Sequence, residues 1–115
     1  MQPDSLMIRS ANVLGTTIRG KGGHKLGTVR ELFFERDTGQ VRFVVLELAG
    51  MFTPSGKYHP IPWRSLRYDE KSEVYLSDLS KDQLKDSPAY DRDQLNDIHY
   101  GWSEQTERYF RVDPV

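Results

Sequence analysis

The stretch that most constrains the fold is Val41-Arg42-Phe43-Val44-Val45-Leu46-Glu47-Leu48. β-branched and aromatic side chains pack well on a pleated surface, so their density here predicts a strand rather than a helix. Successive residues of a strand point to opposite faces. Val41, Phe43, Val45 and Glu47 share one face; Arg42, Val44, Leu46 and Leu48 share the other. Both faces are mostly apolar, which predicts a central strand covered on two sides. The preceding run, residues 26–36, carries Val29, Leu32, Phe33 and Phe34. The adjacent Phe33 and Phe34 break strict alternation, which predicts a long, bent strand with a bulge. Asp37-Thr38-Gly39-Gln40 lies between the two runs. Asp and Gly at these places suit a tight turn, with Gly free to take positive φ, so the unit reads as a β-hairpin.

The flanks supply more short strands. Residues 6–9 read as a short strand, residues 10–15 as one helical turn closed by Gly15, and residues 16–19 as another β run. Residues 58–63, with Pro60 and Pro62, read as an extended edge strand or barrel corner, because proline breaks helices and denies the ladder a donor. A short turn at 63–66 follows. Residues 66–69 and 73–76 flank Glu70-Lys71-Ser72 as a second hairpin. Ser80 with Gln83 three residues on has the capping-box pattern, which predicts a short helix ending before Pro88. Residues 91–97 predict another helical turn. Closely spaced short strands followed by a helical coda predict a small closed or nearly closed β-barrel.

The tail is polar yet carries Ile98, Tyr100, Trp102, Tyr109 and Phe110. Aromatic side chains dominate interfaces, so this tail is expected either to cover its own barrel or to reach onto another chain. Charge divides along the chain. Residues 1–67 hold ten Lys/Arg and five Asp/Glu; residues 68–115 hold six and twelve. The acidic tail is thus either simply solvated or packed on a basic face of its own or a second barrel.

The chain's 115 residues suffice for one domain with a modest core. The expected division is a barrel over residues 1–92 and a tail over 93–115. The absence of Cys removes thiolate ligands, disulfides and cysteine nucleophiles, and fits a reducing compartment. No apolar stretch approaches the length of a membrane helix, and the N-terminus lacks a signal-peptide layout, so a cytoplasmic protein is expected.

Candidate chemistry is sparse. Gly20, Gly22 and Gly23 precede a strand, not the helix a phosphate loop requires, so they read as a turn. His24, His59 and His99 lack metal-ligand spacing, and His59 reads as a structural or exposed residue. The carboxylate pairs Asp69/Glu70 and Asp91/Asp93 lie in a turn and an acidic coda, where solvation keeps them ordinary. Ser55, Ser65 and Ser72 sit in no nucleophile motif. No cofactor, metal or catalytic residue is expected. Lys57, Arg64 and Arg67, with Tyr68 beside them, are candidate nucleic-acid contacts. Met51 and Phe52, on a loop, join Tyr100, Trp102, Tyr109 and Phe110 as a candidate interaction surface. Trp63 and Phe43 read as core.

The order A-N-V-L-G, a β run, G-K-G-G-H-K-L-G-T-V-R-E-L-F-F-E-R-D-T-G-Q-V-R-F-V-V-L, I-P-W-R-S-L and L-K-D-S-P-A-Y resembles the PRC-barrel family over about residues 6–92. That family includes the cytoplasmic domain of the photosynthetic reaction-centre H subunit, the C-terminal domain of the ribosome maturation factor RimM, and free-standing proteins. The tail with Tyr100-Gly101-Trp102 looks like that of free-standing bacterial members. The loop at 51–56 departs from the Gly-rich loop many members carry. The resemblance implies a mainly β, six-stranded barrel with short helical segments and an extended aromatic C-terminal tail. It also implies a non-enzymatic module that binds other macromolecules and self-associates, expected here as a homodimer with a further protein partner. An RNA- or ribosome-associated factor and a small-molecule-binding barrel are the alternatives.

Overall fold

The structure, a computed structural model, describes residues 7–50 and 56–111. The central prediction holds. Strand β2 (Lys25–Phe34) and strand β3 (Val41–Leu48) form a long antiparallel hairpin. Its register shifts between Val29 and Glu31 and again between Phe33 and Phe34, so β2 bends where the alternation fails. Gly39, at φ 78°, closes the turn, and the Glu35 and Gly39 N–H groups donate to the Gln40 and Glu35 carbonyls.

Around this hairpin lie β1 (Thr17–Arg19), β4 (His59–Pro62), β5 (Leu66–Asp69) and β6 (Val74–Ser77). The six strands run in the order β4-β3-β2-β1-β6-β5, all antiparallel except the β1–β6 pair. The two outermost strands, β4 and β5, are consecutive in the chain and joined by a single 3-10 turn at Trp63–Ser65. A sheet whose ends are tied by three residues must curl on itself, and the result is a nearly closed barrel. The outer edge of β4 is covered in part by Tyr90, whose N–H and C=O bond those of Tyr58.

Both faces of β3 are covered, each by a different core. Val44, Leu46 and Leu48 point into the barrel with Ile18, Leu26, Val29 and Ile61. Phe43 and Val45 point outward, into a second cluster with Tyr90, Leu95 and Trp102. Each fully buried large apolar side chain contributes roughly 1.5–3 kcal/mol, so β3 anchors both cores. The barrel interior is occupied by side chains.

Four helices complete the chain: α1 (Ser10–Val13), α2 (Lys81–Asp86), α3 (Arg92–Leu95) and α4 (Gly101–Phe110). The expected capping box on α2 is present, with Ser80 accepting from the Gln83 N–H and Gln83 returning the bond. Asp91 and Gln94 build a second one on α3.

Two expectations are corrected. Residues 7–9 belong to none of the six strands, and α1 follows them directly. The tail is not extended. Residues 101–110 are helical, and their inward-facing positions Trp102, Thr106 and Phe110 fall on one face at i, i+4 and i+8. That face lies against the barrel beside β4.

Candidate functional site

The site is built where the far end of the β2–β3 hairpin meets the start of α4. Tyr100 precedes α4 in the left-handed region, at φ 53° and ψ 36°. A non-glycine residue there is strained and is held only when its surroundings demand it. Here the Ser103 hydroxyl and N–H both donate to the Tyr100 carbonyl, and the Tyr100 N–H donates to Asp97 O. The turn sets the Tyr100 ring edge-on to Phe33 at 6.2 Å and to Trp102 at 6.3 Å while leaving it 50% exposed.

Beneath it, Trp102 is 5% exposed and ringed by Phe33 at 4.7 Å, Phe43 at 5.2 Å and Tyr90 at 6.2 Å. Edge-on aromatic pairs of this kind add about 0.5–1.5 kcal/mol each beyond area burial. The Tyr90 hydroxyl donates to Gln105 Oε1 at 2.8 Å, tying the cluster to α4, and burial pushes the Tyr90 phenol pKa up. The Trp102 indole N–H is buried and has no acceptor among the described residues. An orphan donor is costly, about 1–3 kcal/mol.

These residues line an open groove of about 470 Å3. Phe33, Phe43 and Trp102 form its apolar floor, Phe34 (56% exposed) and Tyr100 stand at its walls, and Arg42 lies at one side. Arg42 is held by two carboxylates, Glu35 at 2.8 Å and Glu107 at 3.5 Å. Glu107 also takes Arg64 at 3.1 Å. Burial pushes the Glu107 carboxyl up, but the hydrogen bonds and charges of Arg64 and Arg42 outweigh it and hold the pKa below the usual range. The acidic tail therefore meets basic residues of its own barrel.

The expected interaction residues divide. Tyr100 stands on the groove wall. Trp102 is core and meets the groove only as part of its floor. Tyr109 packs on Phe110 and donates its hydroxyl to Gln83 O at 2.9 Å, fastening α4 to α2. Phe110 is half-buried against the main core. Met51 and Phe52 lie outside the described residues. The candidate nucleic-acid residues do not form an unopposed stripe: Arg64 is paired with Glu107, Arg67 with Asp78 at 3.4 Å, and Lys57 is half-buried. Phe34, the most exposed aromatic on the groove, carries no sequence signal apart from its broken alternation with Phe33.

The remaining singled-out groups have local structural roles. Buried His59 bonds Ser87 through Nδ1 at 2.9 Å. The Ser87 hydroxyl gives its one proton to the Leu84 carbonyl, so it accepts from His59, whose Nδ1 carries the hydrogen. Ser72 donates its hydroxyl and N–H to Asp69, lowering that carboxyl's pKa and closing the β5–β6 turn. Asp91 caps α3. Phe43 is core in the outward cluster, as read from the sequence, and Trp63, expected as core, is half-buried against the barrel-interior cluster.

With this geometry in hand, comparison with known proteins places the chain in a class. The family model for the PRC-barrel domain matches residues 6–84, and the chain belongs to the PRC-barrel family. An uncharacterized protein of Deinococcus radiodurans is 36% identical over 83 residues. That alignment covers 72% of this chain and 29% of the relative, so the chain spans less than a third of the relative's length. No described helix is long and apolar enough to cross a membrane.

Proposed function

We propose that this PRC-barrel is a non-enzymatic, cytoplasmic interaction module that docks an apolar segment of a partner protein in the groove between the β2–β3 hairpin and α4. The observation that carries it is the pairing of two exposed aromatics from distant parts of the chain, Phe34 and Tyr100, over one apolar floor. Aromatic anchors held rigid by their own chain lose little entropy on binding. Self-association belongs to the same reading.

The test compares capture by wild-type bait with capture by Phe34→Ala, Tyr100→Ala and the control Arg67→Ala. A partner held by wild type and control and lost from both aromatic variants supports the reading. Equal recovery by all four baits overturns it.

A further inference from the structure

At a separate place on the barrel, residues 7–16 and the β5–β6 hairpin border a second groove of about 1030 Å3. It shares no residue with the aromatic groove. Four of the chain's exposed large apolar side chains gather on it: Met7 (86%), Ile8 (43%), Leu14 (44%) and Tyr68 (44%). Such clustering on a small protein marks an interaction surface. Tyr68 is fixed in place, edge-on to Tyr75 at 5.0 Å, and Tyr75 is itself buried against Trp63. The hairpin end is also fixed: Glu73 sits at φ 58° with its N–H donating to Asp69 O.

The charges on this groove identify what covers it. Arg9 lies on one wall; Glu70 and Glu73 lie on the other. None of the three forms a salt bridge among the described residues, a condition Arg9 shares with Arg19, Arg92 and Arg111. A patch carrying both signs about an apolar centre is self-complementary. Under a two-fold axis the same surface meets itself, so that Arg9 of each copy faces the acidic hairpin of the other. A partner of one sign would leave one wall unpaired.

We infer that this groove is the isologous face through which two copies of the chain associate, Met7, Ile8, Leu14 and Tyr68 forming its centre and Arg9 with Glu70 and Glu73 its rim. The inference rests on the interaction-module reading and names the second copy as one of its partners.

The experiment is sedimentation of the full chain over a concentration series reaching the millimolar range. Three variants are run beside it: Ile8→Asp with Leu14→Asp, Arg9→Glu, and Glu70→Arg with Glu73→Arg. All lie on exposed positions, and circular dichroism checks that each is folded. The wild type is expected to dimerise. Each variant is expected to weaken dimerisation about tenfold or more. Mixing the Arg9→Glu chain with the Glu70→Arg, Glu73→Arg chain is expected to restore association as a mixed dimer. A wild type that stays monomeric throughout, or a dimer indifferent to all three variants, overturns the inference. Neither result touches capture through Phe34 and Tyr100, which stands or falls on its own test.

Discussion

The ring of Trp102 lies edge-on to that of Phe43, with centroids 5.2 Å apart and planes at 63°. One ring belongs to the tail helix and the other to the outward face of the central strand. The contact is what makes the tail part of the barrel's architecture, and through Tyr100 it shapes the groove proposed for binding.

Removing that ring should therefore cost as much as a core deletion. Trp102→Ala is expected to lower stability by about 3–5 kcal/mol, read from chemical denaturation. A loss below about 1 kcal/mol, the range of surface changes, would mean that the helix contributes little to the fold.

Gly27 lies against the backbone of β3. A Cβ there would stand 2.6 Å from the Glu47 carbonyl oxygen, which is backbone and cannot swing away. Gly27→Ala is expected to destabilise the protein by about 1–3 kcal/mol through overpacking. The control is Gly39→Ala, whose Cβ meets nothing within 4 Å and which strains the backbone only through its φ of 78°. Equal denaturation midpoints for Gly27→Ala and wild type would refute the close approach.

Two groups, His59 and Glu107, give pH windows that can be tested. Burial lowers the pKa of His59 from its ordinary 6.5, so the unfolded chain binds this proton more readily than the folded one. Stability from neutral His59 is full above about pH 6.5 and falls as pH drops from there through the folded value. Stability curves for wild type and His59→Gln should diverge above that range and converge below it. Parallel curves would contradict the assignment.

The second window belongs to Glu107, whose pKa lies below the ordinary 4.5. Its pairing with Arg42 and Arg64 contributes above that value and is lost as pH falls through the folded one. This pair is part-exposed and salt-screened, so the contribution is small. Glu107→Gln is expected to remove a modest, salt-sensitive part of the acid dependence. An unchanged acid limb in low salt would show that the tail's charge is merely solvated.

The residues explain which parts of this fold were legible in advance. β3 declared itself because its side chains are apolar on both faces, and a residue-by-residue alternation maps directly onto two cores. Pro60 and Pro62 marked an edge, and Ser80 with Gln83 marked a helix start, because each acts within a few residues of itself. The helix α4 was hidden for the converse reason. Its N-cap is Tyr100, without a capping side chain, and Gly101 opens it. Its stability comes from Phe33, Phe43 and Tyr90, which are distant in sequence. The spacing Trp102, Thr106, Phe110 was the available sign. The aromatic groove was legible only by half: Tyr100 stood out by composition, whereas Phe34 acquires its exposure from a bulge that tertiary pairing decides.

The most direct test asks whose barrel the tail covers. An isotope-filtered NOE experiment on a mixture of labelled and unlabelled full-length chains separates contacts within a chain from those between chains. Contacts from Trp102 to Phe43 and Phe33 are expected in the intrachain spectrum and none in the interchain one. Strong interchain contacts between Trp102 and Phe43 would contradict this, showing that the tail completes another copy's barrel and that the aromatic groove is made by two chains.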